Sequence, residues 1–365
     1  MTSQAKSVIF YTGCRILSDY YNGVKLLSLK DLNGNTPEIF LVTSNRSAGK
    51  TVYFSRLLVN KFIKQNKKFM LIYRFNYELD DVASKFFKDI QQLFFSKYDM
   101  SAEKRARGIY AELFLVDRQT EEKISCGYAV ALNNADSIKK MGHLFSDTQY
   151  MFMDEFQSET NHYCNNEVEK LISIHTTVAR GNGKQSRYLP IFMCSNTVTI
   201  LNPYFVALGI SERLQKETKF LKGNGWILEQ GYNDSAAHAQ HDSLFMQAFA
   251  GQYTAYAAQA VYLNDNTAFI EKPSGRSHYL ATIRVDGVDY AIKQYMEQGI
   301  IYCDNTPDLS FPLKIAVTLD DHTINYVMLK ENESFIVSMK WFFNHGAFRF
   351  KNYSSKAAIL KMLAY

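Results

Sequence analysis

The chain has 365 residues, more than one average domain, and 47% of them are hydrophobic, so we expect two domains with ample core. Its 41 Lys and Arg against 36 Asp and Glu give a net charge of +5, which is too mild to indicate a polyanionic partner. Five scattered cysteines include no C-x-x-C pair, which argues against a zinc site and favours a reducing compartment. Because no apolar run is long enough to span a membrane, we expect a soluble, cytoplasmic protein.

The stretch from Glu38 to Leu58, EIFLVTSNRSAGKTVYFSRLL, predicts a buried strand, a tight phosphate-binding loop and a helix. N–H groups at a helix start and the helix dipole together attract an anion such as a triphosphate. Lys50 would reach the β- and γ-phosphates of ATP, and the Thr51 hydroxyl would bind Mg²⁺. The predicted nucleotide-binding residues of the loop are Ser44, Asn45, Arg46, Ser47, Ala48, Gly49, Lys50 and Thr51.

One position of this loop departs from the consensus Gly-x-x-x-x-Gly-Lys-Ser/Thr. Ser44 stands where glycine is usual, so we expect a positive-φ position to be filled by a residue that tolerates it less well. A chance Gly-Lys-Thr after an apolar run is the alternative. The loop is a variant match, and a partner strand is needed to support it.

Residues 150–155, YMFMDE, predict that partner, an apolar Walker B strand that ends in two carboxylates. Asp154 would hold Mg²⁺, and Glu155 would polarise the water that attacks the γ-phosphate. Alone, the segment is equally typical of a buried strand capped by solvated acids. The loop and the strand in this order together predict an ATP site.

Further elements favour a parallel sheet with helices between its strands. The apolar run KKFMLIYRF follows the loop's helix and completes a βαβ pattern. Arg74 ends that strand, where it is either a contact to the nucleotide or a neighbour, or a surface arginine. An amphipathic helix is predicted from Asp80 to Phe95, and a pair of strands within 112–132.

Polar residues flank the predicted Walker B strand on both sides in the sequence. Lys139 and Lys140 precede it in a predicted loop, where two lysines are usually just solvated. A helix over NNEVEKLISIHTTVAR ends at Arg180. Asn196 ends the next strand, YLPIFMCSNT, where it could sense the γ-phosphate, although such a Ser-Asn end is equally common in turns.

The C-terminal third has a different composition. A small and polar stretch from about Gly225 to Asn264 suggests a helical linker, and HYLATIRV, VDYAIKQY and IIYCD then predict an antiparallel meander. The first of these strands has no acid, and Asp304 alone cannot hold two metal ions, so we expect a binding domain and not a nuclease. From Ser334 onward, cations alternate with aromatics without any acid, which suits either a nucleic-acid face or a core with outward lysines.

The segments SAGKT, MDEF, NNEVEKL, CSNTVTILNPYF and FIEKPSGRS, in this order, resemble the genome-packaging ATPases, or encapsidation proteins, of the small protein-primed tailed phages. The most specific part is SN-x-V-x-x-x-NPYF after MDEF. The resemblance implies an α/β fold with three parts. These are an ASCE-type P-loop ATPase domain with a mostly parallel sheet at 1–224, a short helical linker at 225–264, and an RNase H-like α+β domain, a vestigial nuclease, at 265–365.

The same resemblance implies partners. Family members form a homo-oligomeric ring, usually a pentamer, on the portal of a viral prohead, with a packaging RNA as scaffold, and they drive double-stranded DNA inward. We therefore expect this chain in the host cytoplasm, transiently attached to a prohead, with ATP and Mg²⁺ as cofactors and without a membrane partner.

The resemblance also implies roles for single residues. Arg180 aligns with the arginine that acts in trans on a neighbour's γ-phosphate, and Arg187 is the second candidate. Lys139 and Lys140 fall where the family has a DNA-contacting lysine. The implied catalytic residues are Glu155, Arg180 and Lys50, and those matching the loop and the Walker B pair are Arg46, Gly49, Lys50, Thr51, Asp154 and Glu155.

Three function classes compete. The leading hypothesis is a motor that couples ATP hydrolysis to translocation of double-stranded DNA. A P-loop kinase, or another nucleic-acid-stimulated ATPase, is the enzymatic alternative, although no lid arginine cluster or acceptor pocket for a kinase is identifiable. A nucleotide-stabilised structural protein is the third hypothesis, against which Glu155 argues.

Overall fold

The computed structural model describes residues 20–363 except 161, 182, 184, 201, 212, 215–217, 242, 244–247, 249–268 and 352. The chain falls into two compact units. Residues up to 197 together with 219–260 form the first unit, and residues 198–218 with those from 261 onward form the second. Each unit has its own sheet.

The first unit is a mixed α/β structure with a large, mostly parallel sheet. Its nine strands have the order β3-β4-β5-β2-β6-β7-β1-β9-β8. Strands β5, β2, β6, β7, β1 and β9 are parallel to one another in that series. The pairs β3–β4, β4–β5 and β8–β9 are antiparallel. The strands are β1 (Ile39–Ser44), β2 (Lys68–Tyr73), β3 (Tyr98–Arg105), β4 (Tyr110–Asp117), β5 (Lys123–Ala131), β6 (Thr148–Asp154), β7 (Ile191–Asn196), β8 (Phe220–Lys222) and β9 (Trp226–Gln230).

Helices cover this sheet with apolar residues spaced four apart. Phe54, Leu58 and Phe62 form the buried stripe of the helix after the phosphate loop, as the helical period requires. No described helix is long and apolar enough to cross a membrane. The helices of the whole described chain are α1 (Val24–Ser28), α2 (Lys50–Gln65), α3 (Val82–Phe94), α4 (Ala135–Lys140), α5 (Glu167–Val178), α6 (Pro203–Ala207), α7 (Asp234–His241), α8 (Glu333–Asn344) and α9 (Tyr353–Leu363).

The predicted linker at 225–264 begins too early. Residues 226–230 form β9, which pairs in parallel with β1 from Ile39 to Thr43, so they belong to the sheet. The short apolar run Trp226, Ile227 and Leu228 is the sequence signal for this strand, and all three residues are buried. Helix α7 follows, and most of the remaining predicted linker lies outside the described residues.

Two smaller expectations also differ from the structure. Lys139 and Lys140 end the short helix α4 and do not lie in a loop. Strand β3 was not predicted, because its burial is intermediate or exposed along its whole length and it therefore lacks an apolar signal. It is held by pairing with β4 from Tyr98 to Arg105, which a sequence pattern does not encode.

The second unit contains the predicted meander. Its strands are β10 (Phe269–Ile270), β11 (His278–Val285), β12 (Val288–Tyr295), β13 (Ile300–Asp304), β14 (Lys314–Ala316), β15 (Val327–Met328) and β16 (Phe348–Phe350). Strands β11, β12 and β13 are antiparallel, while β14 runs parallel to β11, β15 to β14 and β16 to β13. Asp286 and Gly287 both have positive φ, 52° and 76°, which is the conformation of a tight primed hairpin turn.

The basic aromatic C-terminal segment contributes three phenylalanines to the core of the second unit. Phe343, Phe348 and Phe350 are buried, whereas Trp341 is exposed. The cation of Lys361 contacts Asp286. These three phenylalanines pack inside the second unit, which favours the core interpretation over a continuous nucleic-acid face.

Candidate nucleotide-binding site

The predicted site residues meet at one edge of the first sheet. Parallel strands end on the same edge, and the register places Ser44 beside Asn196 and Asp154 beside Cys194. Strand β7 lies between the loop strand β1 and the Walker B strand β6. Ligands of open parallel sheets bind beyond these carboxyl ends.

Lys50, the first residue of α2, receives several contacts from the phosphate loop and its neighbouring strand. Its ammonium donates to Ser44 Oγ at 2.8 Å, to the Asn45 carbonyl at 3.2 Å and to Asn196 Oδ1 at 3.4 Å. It is only 6% exposed, and burial lowers its pKa to about 8, against the opposing effect of Asp154 and Glu155. Because these hydrogen bonds go to neutral oxygens, the negative charge of a polyphosphate would stabilise this buried cation.

The serine in the glycine position is not strained, contrary to our expectation. Ser44 is the last residue of β1, and the positive-φ residues of the loop are Ser47, at 61°, and Gly49, at 91°. Ser44 instead contributes its hydroxyl as the shortest hydrogen bond of Lys50. A glycine would remove that bond, so the serine gives Lys50 an acceptor that the consensus residue cannot supply.

Two further contacts fix the loop. Arg46 forms an ion pair with Glu159 at 3.4 Å. The Asn45 amide makes two reciprocal bonds with the main chain of Asn233, one from Nδ2 to the carbonyl at 3.0 Å and one from the Asn233 N–H to Oδ1 at 3.0 Å. The loop is thereby tied to the chain that follows β9.

Thr51 and Asp154 lie together as a hard-cation site requires. The Thr51 hydroxyl donates to the Asp154 carboxylate. Burial, with a further contribution from the charge of Glu155, raises the pKa of Asp154 to about 6, although Thr51 and Lys50 oppose the shift. A recessed carboxylate beside a hydroxyl offers the oxygen ligands that Mg²⁺ prefers, so these residues fit that ion.

Glu155 is exposed, and hydrogen bonds to its main-chain N–H and carbonyl hold it in place. Its φ of 51° is unusual for a residue other than glycine, and its N–H donates to Asp154 Oδ1 at 3.0 Å. Arg74 Nη1 donates to the Glu155 carbonyl at 2.9 Å, and Nη2 donates to the next carbonyl, that of Phe156. These bonds hold the left-handed turn that directs Glu155 beyond the strand.

Arg74 is not a surface arginine, because its side chain is largely buried and bonded within its own chain. Its Nε donates to both oxygens of Glu167, at 3.0 and 3.1 Å. The side chains of Arg74 and Glu167 are 10% and 1% exposed. The guanidinium joins a buried carboxylate on α5 to the backbone of Glu155.

Arg180 lies with the two lysines and not among the contacts of Lys50 described above. Lys139, Lys140 and Arg180 line one cavity of about 320 Å³ together with Gly142, His143, Ser146, Thr177 and Gly181. Arg180 is exposed. Arg187, by contrast, donates from Nη2 to the Val178 carbonyl at 2.9 Å, and burial lowers its pKa despite Asp147, so it is engaged in closing the end of α5.

The sequence matches the Podovirus DNA encapsidation protein (Gp16) family over residues 17–363. The chain belongs to this family. The resemblance inferred from the five segments is therefore confirmed.

Individual relatives agree with the family match. The DNA packaging protein of Bacillus phage phi29 is 24% identical over 351 residues, which are 95% of this chain and 96% of the relative. That of Bacillus phage B103 is 26% identical over 285 residues, 77% and 81% of the two chains.

Two solved structures share the fold. A chain of the bacteriophage Phi-29 viral genome packaging motor assembly aligns with a TM-score of 0.56 at 23% identity, covering 92% of this chain and 95% of that one. A chain of the Phi-28 gp11 DNA packaging motor aligns with a TM-score of 0.58 at 18% identity, covering 94% and 98%.

Sequence patterns missed two supports of the site in this family member. The Arg74–Glu167 pair joins residues 93 positions apart, and the hydrogen bond from Tyr21 to Glu229 joins residues 208 apart. The N-terminal segment also supports the loop, since the Tyr21 N–H donates to the Ala48 carbonyl at 2.7 Å. An acid inside an apolar strand, Glu229 in WILEQ, was the available signal.

Proposed function

We propose that this chain is an ATP-driven motor that translocates double-stranded viral DNA into a prohead. The observation that carries the proposal is the buried Lys50 ammonium, bonded to neutral oxygens at the sheet edge where Thr51 and Asp154 also meet. Membership of the DNA encapsidation family supports the choice of DNA as cargo.

Within the site, each residue has a defined role. Lys50 binds the β- and γ-phosphates, together with loop N–H groups and the Asn196 amide, and Glu155 orients the attacking water. Thr51 and Asp154 are the residues that would hold Mg²⁺, which supplies neutralisation of phosphate charge when bound. Arg46 leaves Glu159 to contact the triphosphate, since their ion pair is half exposed and weak.

Arg180 acts in trans in this proposal. The chain forms a homomeric ring, a pentamer in the family pattern, that sits on the portal with a packaging RNA as scaffold. An exposed arginine in a basic cavity can enter a neighbour's site and stabilise charge on the γ-phosphate. Lys139 and Lys140 contact the DNA backbone.

The two sheets support finer fold assignments. One strand between the loop strand and the Walker B strand supports an ASCE-type ATPase domain. The order β13-β12-β11-β14-β15, with an antiparallel meander followed by parallel strands, supports an RNase H-like second domain. Strand β11, HYLATIRV, carries no acidic residue, which supports a vestigial nuclease. The protein would act in the host cytoplasm, transiently attached to the prohead.

An ATPase assay with and without double-stranded DNA tests the function. We expect hydrolysis that DNA stimulates and that Lys50→Ala abolishes by loss of nucleotide binding. Phosphate transfer to a small acceptor would identify a kinase instead. Tight ATP binding without any hydrolysis, in the presence of DNA and assembled proheads, would favour a structural role.

A further inference from the structure

The segment before α1 crosses the phosphate loop and is firmly fixed there. The Tyr21 N–H donates to the Ala48 carbonyl at 2.7 Å, and the Tyr21 hydroxyl donates to Glu229 Oε2 at 2.6 Å. The Tyr21 ring packs edge-on against Tyr53, with 5.5 Å between centroids. Because residue 21 is held at both ends, the position of its neighbour Tyr20 is also determined.

The Tyr20 ring lies directly on Gly49. A Cβ built on Gly49 would be 2.7 Å from Tyr20 Cδ1, so the ring contacts the residue that precedes Lys50. Nevertheless, 46% of Tyr20 is exposed. A half-exposed aromatic ring, held in place beside a polyphosphate loop, is suited to stack on the flat ring of a nucleotide base.

The sheet order indicates on which side of the loop the base must lie. The γ-phosphate has to face Asp154 and Glu155, which follow β6, and β6 lies on the β7 side of β1. A nucleotide whose γ-phosphate faces that side extends its nucleoside toward the other flank of β1, where β9 lies. Tyr20 is on the β9 flank, since Tyr21 bonds to Glu229 on that strand.

We propose that Tyr20 is the base-stacking residue of this site and that it favours purine over pyrimidine nucleoside triphosphates. The inference rests on the proposed ATP-binding function. A purine offers two fused rings to the tyrosine face, and stacking requires no base-specific hydrogen bond. Tyr20 therefore contributes affinity for the nucleoside, while Lys50 and the loop N–H groups bind the phosphates.

Calorimetric titration of the full chain with ATP, GTP, CTP, UTP and inorganic tripolyphosphate tests this division. We expect the native chain to bind ATP and GTP more tightly than CTP and UTP. Tyr20→Ala should weaken ATP binding by about tenfold or more, as loss of a base-stacking ring does, and should remove the purine preference. Tripolyphosphate should bind Tyr20→Ala as it binds the native chain, and Tyr20→Phe should bind ATP normally.

Two exposed tyrosines serve as comparisons. Tyr188 is 51% exposed, but its hydroxyl donates to the Pro37 carbonyl before β1, at the opposite end of the strands, so Tyr188→Ala should bind every ligand normally. Tyr232 is also exposed and precedes the Asn233 that bonds to the loop. A loss of ATP affinity in Tyr232→Ala with none in Tyr20→Ala would overturn the proposal.

Two further outcomes would also overturn it. Equal loss of ATP and tripolyphosphate affinity in Tyr20→Ala would mean that the ring only shapes the loop. Native ATP affinity in Tyr20→Ala would contradict the inference alone, whereas a native chain that binds neither ATP nor tripolyphosphate would contradict the proposed function as well.

Discussion

In the first unit, burial raises the pKa of Asp154 to about 6, whereas in the second unit the pKa of Asp304 lies below its ordinary value. Burial acts to raise the pKa of Asp304 too, but hydrogen bonds from Lys293, at 2.7 Å, and from Thr306 outweigh it. Asp154 shares its surroundings with the carboxylate of Glu155, while Asp304 has its own ammonium partner.

The same contrast holds for the cations. Lys50 is bonded to neutral oxygens, whereas Arg284 in the second unit is bonded to both oxygens of Asp289, at 2.9 and 2.7 Å. Opposite charges that are hydrogen-bonded to each other stabilise a fold and have no unpaired charge with which to bind a ligand. Buried charges that are not hydrogen-bonded to a group of opposite charge cost stability, which a bound ligand restores. The proposed polyphosphate and metal site of the first unit rests on this difference, whereas these charged pairs of the second unit stabilise its structure.

The largest effect that this contrast predicts concerns Arg180. If Arg180 stabilises the γ-phosphate of a neighbouring subunit as proposed, Arg180→Ala should lower the rate of hydrolysis by about 10³- to 10⁵-fold. Arg284→Ala, which removes an arginine already paired within the second unit, should leave the hydrolysis rate unchanged. The measurement is steady-state ATPase activity of the assembled ring.

Mixing experiments decide whether Arg180 acts in trans. Arg180→Ala and Glu155→Gln subunits should each be inactive alone, but mixed rings contain interfaces where a native Glu155 meets a native Arg180. Those interfaces should recover activity. Absence of recovery in rings shown to be mixed would move the role to Arg187 or to an arginine acting in cis.

The next effect compares two carboxylates. Glu155→Gln should bind ATP normally but hydrolyse it about 10²- to 10⁴-fold more slowly, because the amide keeps the shape and loses the charge that orients water. Asp304→Asn should hydrolyse at the native rate, with the melting curve confirming that it is folded. Native turnover by Glu155→Gln would show that another group activates the water.

The charged loop and Walker B strand could be predicted because their chemistry is local in sequence. Gly49-Lys50-Thr51 follows one apolar strand at the start of a helix, and Asp154-Glu155 lies at the end of another. A parallel sheet brings such strand ends together. The meander of β11, β12 and β13 was predictable for a similar reason, since alternating apolar residues and the Asp286-Gly287 turn define each strand.

The supports of the site could not be predicted in this way. Arg74 sits at a strand end where several roles are possible, and only the fold brings Glu167 to it across 93 residues. The turn at Glu155, with its φ of 51°, likewise depends on those distant bonds. The strain predicted at Ser44 from the consensus glycine was wrong. In this loop Ser47 and Gly49 have positive φ, and Ser44 does not.

A smaller effect is expected at Arg74, which forms a buried ion pair with Glu167 inside the first unit. Arg74→Ala leaves Glu167 buried without its cation, which should destabilise the protein by about 3–5 kcal/mol, and it releases the backbone of Glu155, so turnover should fall as well. Arg284→Ala breaks a more exposed pair and should cost less, with no effect on turnover. Denaturant unfolding and ATPase rates measure both quantities.

A conservative variant separates the two consequences of losing Arg74. Lysine keeps the charge but lacks the planar fork that reaches Glu167 and the two carbonyls together. Arg74→Lys should therefore regain part of the stability without regaining the turnover rate. Equal recovery of both would indicate that Arg74 acts only by stabilising the fold.

The smallest effect compares two carboxyls whose pKa values shift in opposite directions. Burial raises the pKa of Glu229, despite the hydrogen bond from Tyr21, so its folded state holds a proton more tightly than its unfolded state. Such a group stabilises the fold at low pH, and that contribution is lost as the pH rises through the folded pKa. Glu229→Gln keeps an acceptor for Tyr21 without the buried charge, and it should raise the melting temperature at pH 7.5 by about 2 °C, a gain that disappears near pH 4.

Asp304 has a lowered pKa, so its contribution to stability is present at neutral pH and is lost as the pH falls through that value. Asp304→Asn should therefore lower the melting temperature at pH 7.5, with the difference shrinking in acid. Melting curves of both variants from pH 4 to pH 8 would contradict the contrast between the two units if the two substitutions changed stability in the same direction at neutral pH.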